Sequence, residues 1–223
     1  MSQTATPRDS ETLADDEVHV WHFACRRAQG RAPLLALLAR YTGTDVLLAI
    51  GEHGRPRLAQ PQAGLDFNWS HSGEVAVLAV ARGIAPGIDV ECARQRPRAM
   101  DLARRFFHAD ETAALLALPE AERSAAFFEL WTAKEAVLKA SGRGISFGLD
   151  RLRVQRDGRL QLAWLDGDDA AAWQLHALAP GDGCTGALAW RGGPRRIVLR
   201  ALATPDASVQ CGLPPSSLTP TAP

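Results

Sequence analysis

Cysteine is scarce in this chain, and no spacing pairs it. Cys25, Cys92, Cys184 and Cys211 are scattered through 223 residues with no C-x-x-C or similar arrangement. That argues against a zinc site and a disulfide framework, and makes a reducing cytoplasm the expected compartment. Net charge is absent as well: 25 basic residues balance 25 acidic ones. No global field therefore draws the chain to nucleic acid or an anionic membrane. The longest apolar run, near Val75 to Ala81, is too short to span a bilayer. Residues 1–17 are polar and acidic and lack the basic start and apolar stretch of a secretory signal.

What is present is an apolar fraction of 46%, ample for a packed core. The pattern is mixed α and β without strict βαβ alternation. Residues 1–17 read as a disordered start and 204–223, rich in Pro, Ser and Thr, as a disordered tail. Between them, Val18 to Phe23 reads as a strand. Pro33 to Tyr41 reads as a short buried helix with proline in its first turn. Gly51 to Arg57 is a turn, and Glu74 to Ala81 suits a strand covered on both faces. Ile88 to Glu91 forms the next strand. Helices follow over Ala99 to Phe107, from about Ala109, and over Glu122 to Ser141, where Gly142 stops the last. Later segments, from Leu149 to Ala203, are β-like and separated by turns such as Asp157-Gly158.

The chemistry-bearing residues sit on two of these elements. In Gly87-Ile88-Asp89-Val90-Glu91, the acids occupy alternate strand positions and share one face. In Leu130-Trp131-Thr132-Ala133-Lys134-Glu135-Ala136-Val137-Leu138-Lys139-Ala140, Glu135 and Lys139 are four apart on one helical face, and Lys134 points elsewhere. Clustered carboxylates need a compensating cation or proton. Asp89, Glu91 and Glu135 are hard oxygen ligands of the kind magnesium takes beside a phosphate. Taken singly, each pattern is better read as a solvated strand edge or a surface ion pair; the joint pattern reverses that. Two further blocks add phosphate-binding chemistry. Phe67-Asn68-Trp69-Ser70-His71-Ser72-Gly73 offers hydroxyls, an imidazole and a glycine at a strand entrance. Gly54-Arg55-Pro56-Arg57 sets two guanidinium groups on a rigid turn. A polar capping turn and a solvated basic turn are the plain alternatives.

In order, Gly54-Arg55-Pro56, Phe67 to Gly73, Gly87 to Glu91, Phe107 with Glu111, and Trp131 to Lys139 resemble the motif series of the 4'-phosphopantetheinyl transferases, in particular the longer Sfp-like class. The resemblance covers about residues 18–155. It implies an α/β (α+β) fold of two similar halves in a pseudodimer, with coenzyme A in the cleft between them. The halves would be 18–86 and a catalytic 87–203. The first half is truncated relative to the family: Phe23 runs almost directly into Cys25 to Arg31, where Arg26 and Gly30 still fit R-x-x-x-G.

The implied reaction is Mg²⁺-dependent, with Mn²⁺ as the other candidate ion. It moves 4'-phosphopantetheine from coenzyme A to a serine of an apo carrier protein (acyl, peptidyl or polyketide) and releases adenosine 3',5'-bisphosphate. By motif, Asp89, Glu91 and Glu135 would hold the metal. Glu135 would act as base, Lys139 would contact the phosphates and support the leaving group, and Glu111 would assist. Ser70, His71, Arg55 and Arg26 would bind the coenzyme A phosphates. A cytoplasmic monomer with no nucleic-acid or membrane partner is expected. Two rivals stay open: a non-catalytic relative that binds coenzyme A or a carrier, and a different metal-dependent phosphoesterase.

Overall fold

A computed structural model describes residues 10–62, 64–92 and 98–202; the expected tail at 204–223, residues 1–9 of the expected loose start, and Cys211 lie outside these. The chain folds as mixed α/β. Strand β1 is Glu17–Ala24 and helix α1 is Ala32–Thr42; a small hairpin follows, made of β2 (Leu48–Ile50) and β3 (Pro56–Leu58). Then come β4 (Leu65–Ser72), β5 (Val75–Arg82) and β6 (Gly87–Cys92). Three helices succeed one another: α2 (Ala99–Phe106), α3 (Ala109–Ala117) and α4 (Glu120–Ser141). The chain closes with β7 (Leu152–Asp157), β8 (Arg159–Leu165), β9 (Trp173–Leu178), β10 (Cys184–Arg191) and β11 (Arg196–Ala201).

Two sheets stack face to face. One has the order β11-β1-β5-β4 and the other β6-β10-β9, with β7 and β8 as a separate hairpin. Val18, Val20, Val77, Ala79 and Ala81 from the first sheet meet Ile88, Val90, Leu188 and Trp190 from the second. α1 covers the outer face of the first sheet through Leu34, Leu37, Leu38 and Tyr41, packed with Trp21, Phe67 and Leu78. α4 covers the outer face of the second, with Phe127, Ala133, Ala136 and Val137 packed with Ala187, Ala189 and Leu175. Both faces of β5 are therefore covered, as its unbroken apolar run requires. Among the described residues, no helix is long and apolar enough to cross a membrane.

Three expectations change. Within the anticipated loose start, Leu13 is buried in the core and Glu11 pairs with Arg40 at 2.8 Å and Arg200 at 3.1 Å. β11 lies parallel to β1, so the end of the 87–203 segment completes the first sheet instead of staying with the second half. Cys92 and Cys184 face each other across β6 and β10 and are joined as a disulfide. A sequence separation of 92 residues hides a pairing that only strand register creates.

The seat of α4 on β6 depends on Gly87. A β-carbon there would run into the backbone of Ala136 and lie 2.5 Å from the Ala140 nitrogen. Helix backbone cannot yield as a flexible side chain can. Gly87→Ala is expected to lower stability by about 3 kcal/mol or more, read as a fall in thermal midpoint. It should also displace α4 from the acids of β6. A variant with wild-type melting would contradict the close approach.

Candidate active site

β4 and β6 belong to different sheets but lie side by side, and the polar face of β4 bridges them. Alternation puts Asp66, Asn68, Ser70 and Ser72 on one face of β4, while Leu65 and Phe67 enter the core. Asn68 Oδ1 accepts from the Ile88 N–H at 2.9 Å. Ser70 Oγ donates to Asp89 Oδ1 at 2.7 Å. Ser72 Oγ donates to Glu91 Oε2 at 3.1 Å and accepts from the Cys92 N–H at 3.1 Å. The edge of β6 is thus satisfied by side chains instead of a further strand, and each acid of the D-x-E strand receives one hydroxyl.

α4 approaches from the other side of β6. Lys139 Nζ donates to Asp89 Oδ1 at 2.6 Å and to the Ile88 carbonyl at 3.1 Å. Glu135, one turn earlier, is pushed up to about 7. Burial is the largest cause, followed by the Asp89 charge; Lys139 opposes the shift and Glu91 adds to it. Glu135 therefore shares one electrostatic neighbourhood with Asp89, Glu91 and Lys139. It lines a cavity of about 330 Å³ together with Asn68, Trp69, Lys139 and the turn His53-Gly54-Arg55.

As these side chains stand, no three His, Cys, Asp or Glu residues among the described ones form a group able to hold a metal ion. The Lys139 ammonium occupies the Asp89 oxygen where a cation would sit. The donor set nevertheless suits a hard divalent ion. It is all carboxylate oxygen, and Asp89 and Glu91 both add to the upward shift that burial gives Glu135.

Of the remaining candidates, Arg55 and Ser70 have their donors taken up by protein acceptors, while His71 and Arg26 are exposed. Arg55 has its guanidinium taken up by protein acceptors: the Lys139 carbonyl, the Phe67 and Pro86 carbonyls at 3.1 Å each, and Asp66 at 3.3 Å. It is a clamp between the β3 turn, β4 and the end of α4, and the fork expected to meet a phosphate is turned onto carbonyls. Ser70 likewise donates to Asp89, so its proton serves the acid and not a nucleotide. His71 is exposed and rests against the Trp69 ring, with centroids 5.3 Å apart. Arg26 is exposed just past β1, beside the β4–β5 turn, where the Cys25 N–H donates to the Glu74 carbonyl at 2.7 Å.

Glu111 departs furthest. It is buried on the far side of α4, paired with Lys134 Nζ at 2.6 Å. Its carboxylate also accepts from the Val154 N–H at 2.8 Å and from the His108 N–H at 3.1 Å, closing a capping box at the start of α3. Burial raises its pKa and lowers that of Lys134, while their attraction opposes both shifts. Glu111 is thus held in a buried structural network and does not line the cavity that Glu135 and Lys139 share. Asn68 and Ser72 were not singled out from sequence, although their alternation with Ser70 was visible.

Comparison with known proteins identifies the family. The sequence profile of the 4'-phosphopantetheinyl transferase superfamily matches residues 85–189, from just before β6 into β10. The chain is 34% identical over 196 residues to the 4'-phosphopantetheinyl transferase HetI of Nostoc sp., covering 81% of this chain and 79% of that protein. It is 40% identical over 131 residues to the 4'-phosphopantetheinyl transferase psf-1 of Bacillus pumilus, covering 57% of this chain and 54% of that one. To the 4'-phosphopantetheinyl transferase Sfp of Bacillus subtilis it is 31% identical over 141 residues, covering 62% and 61%.

Proposed function

This chain belongs to the 4'-phosphopantetheinyl transferase superfamily, and we propose on that footing that it transfers the 4'-phosphopantetheine arm of coenzyme A to a serine hydroxyl of an apo carrier protein. The observation that carries the reading is the meeting of Asp89 and Glu91 on β6 with Glu135 and Lys139 on α4, at a cavity beside the polar face of β4. The serine oxygen forms a bond to the phosphorus nearest the pantetheine, and the pyrophosphate P–O bond breaks. The leaving group is adenosine 3',5'-bisphosphate. Glu135 is the candidate to accept the serine proton, directly or through a bound water; its pKa of about 7 belongs to the metal-free site. Lys139 can turn its ammonium from Asp89 toward the phosphates and stabilise the charge that develops on the leaving oxygen. Asp89, Glu91 and Glu135 would hold Mg²⁺, or Mn²⁺ in its place. When bound, that ion supplies neutralisation of the diphosphate and of the three acids around it.

Arg26 and His71, exposed at neighbouring ends of the first sheet, remain the candidates for outer coenzyme A phosphates. We read the protein as a cytoplasmic monomer whose two sheets represent the family's two halves, with β11 crossing back. In a reducing compartment, Cys92 and Cys184 are expected as thiols. The test is mass spectrometry of several apo carrier proteins after incubation with the chain, coenzyme A and Mg²⁺. One carrier is expected to gain the mass of a single phosphopantetheine, and Asp89→Ala should prevent that gain. Unmodified carriers throughout would reject the reading.

A further inference from the structure

The polar face of β4 contains one hydroxyl whose geometry sets it apart from Ser70. Ser72 Oγ has a single proton, and it goes to Glu91 Oε2; the same oxygen accepts from the Cys92 N–H, the backbone of the next residue along β6. Both directions of the hydroxyl are therefore defined by β6. Its reference point is stiff: Cys92 is paired with Cys184 in the β6–β10 ladder, whether or not their sulfurs are joined. The glutamate at 91, unlike the shorter Asp89, has three side-chain torsions to restrain, and it lies near the end of its strand. A hydroxyl held by the backbone one residue further on is an economical restraint.

The register matches on both strands. Ser70 and Ser72 are two residues apart on β4, Asp89 and Glu91 two apart on β6, and the hydroxyls meet the carboxylates one to one. We propose that Ser72 is a positioning residue: it fixes the Glu91 carboxylate beside Asp89, so that the two present their oxygens together to a divalent cation. The proposal rests on the assignment of Asp89 and Glu91 as metal ligands made above. Ser72 itself touches neither substrate nor ion; it acts only through Glu91. Partners of this kind, behind a ligating carboxylate, typically change metal affinity by about 10- to 100-fold when removed.

The test is calorimetric titration of Mn²⁺ into the metal-free full chain, with transfer kinetics measured in parallel. Ser72→Ala is expected to weaken Mn²⁺ binding about tenfold. It should raise the Mn²⁺ concentration for half-maximal transfer by the same factor, with KM for coenzyme A unchanged. Ser72→Thr, which keeps the hydroxyl, should restore both. In a Glu91→Ala background, Ser72→Ala should cause no further loss. Half-buried at the end of β4, the site should tolerate alanine, which thermal unfolding will show. Wild-type Mn²⁺ affinity in Ser72→Ala, or an equal loss in the Glu91→Ala background, overturns the proposal, as does a wild-type chain that binds no Mn²⁺. Ser72-dependent Mn²⁺ binding without modification of any carrier sustains the positioning role and removes the transferase reading instead.

Discussion

Replacing Glu135 by glutamine is expected to stop transfer and, in the metal-free protein above neutral pH, to raise stability. The two effects have one origin. Burial and the charges of Asp89 and Glu91 lift the Glu135 pKa from its ordinary 4.5 to about 7, against the pull of Lys139. Between those values the folded state keeps a proton that the unfolded chain releases, so stability falls as pH rises through this window. Below pH 4.5 both states are protonated and the penalty vanishes; above 7 it is complete. Glutamine cannot ionise, so the difference between variant and wild type should open from nothing in acid to a maximum above neutrality. After allowance for partial solvent access the maximum is about 2 kcal/mol, or a rise in thermal midpoint of about 4–8 °C.

Saturating Mg²⁺ or Mn²⁺ should narrow the gap, because it stabilises wild type and has less purchase on the variant. Transfer should fall by about a thousandfold or more, as expected when a group that both accepts a proton and faces developing charge is lost. Thermal unfolding from pH 4 to 9, with and without metal, and a carrier-mass assay are sufficient. A variant that melts like wild type at pH 8, or that still modifies carrier at a comparable rate, would remove Glu135 from the centre of the site.

The residues that were legible in the sequence obey short-range geometry. Asp89 and Glu91 share a face because strands alternate, and Glu135 and Lys139 share one because helices repeat near four. Both inferences needed only local periodicity, and the fold brings the two faces together. The same alternation in Asn68-Trp69-Ser70-His71-Ser72 could have identified the polar face of β4. Reading the stretch as the approach to a buried strand concealed it, since a strand that satisfies a neighbour's edge through side chains leaves no mark in hydropathy.

Arg55 illustrates a different limit. Its position on a tight turn was readable, but the acceptors that surround its guanidinium come from Asp66, Phe67, Pro86 and Lys139, and no sequence spacing announces them. The Cys92–Cys184 pair and the parallel placement of β11 on β1 are likewise products of long-range register. Glu111 matched a family motif, yet a competing local signal was present. His108 followed three residues later by Glu111 is the spacing of a capping box, which ties the acid to a helix start.

That assignment of Glu111 leads to the largest stability effect expected in the molecule. Lys134 is fully buried; besides Glu111 it donates to the carbonyls of Leu149 at 2.8 Å and Leu152 at 2.6 Å. One ammonium thus ties α4 to the start of β7, and one carboxylate ties α3 to β7 through Val154. Removing either partner leaves an uncompensated charge in the core, and the cost of that is typically about 3–5 kcal/mol. Lys134→Met should therefore lower the thermal midpoint by about 10 °C or more. Glu111→Leu should do comparable damage. The double variant, which buries no charge, should recover much of the loss, so the two effects will be strongly non-additive.

The same experiment separates structure from chemistry. If Glu111 only supports α4, then Glu111→Gln, measured well below its melting temperature, should keep kcat and both KM values within about twofold, against the thousandfold loss expected at Glu135. A selective fall in kcat in well-folded Glu111→Gln would return it to the reacting centre. The placement of its carboxylate across α4 from the cavity, bonded to Lys134 and to the backbone of β7, argues for the first outcome.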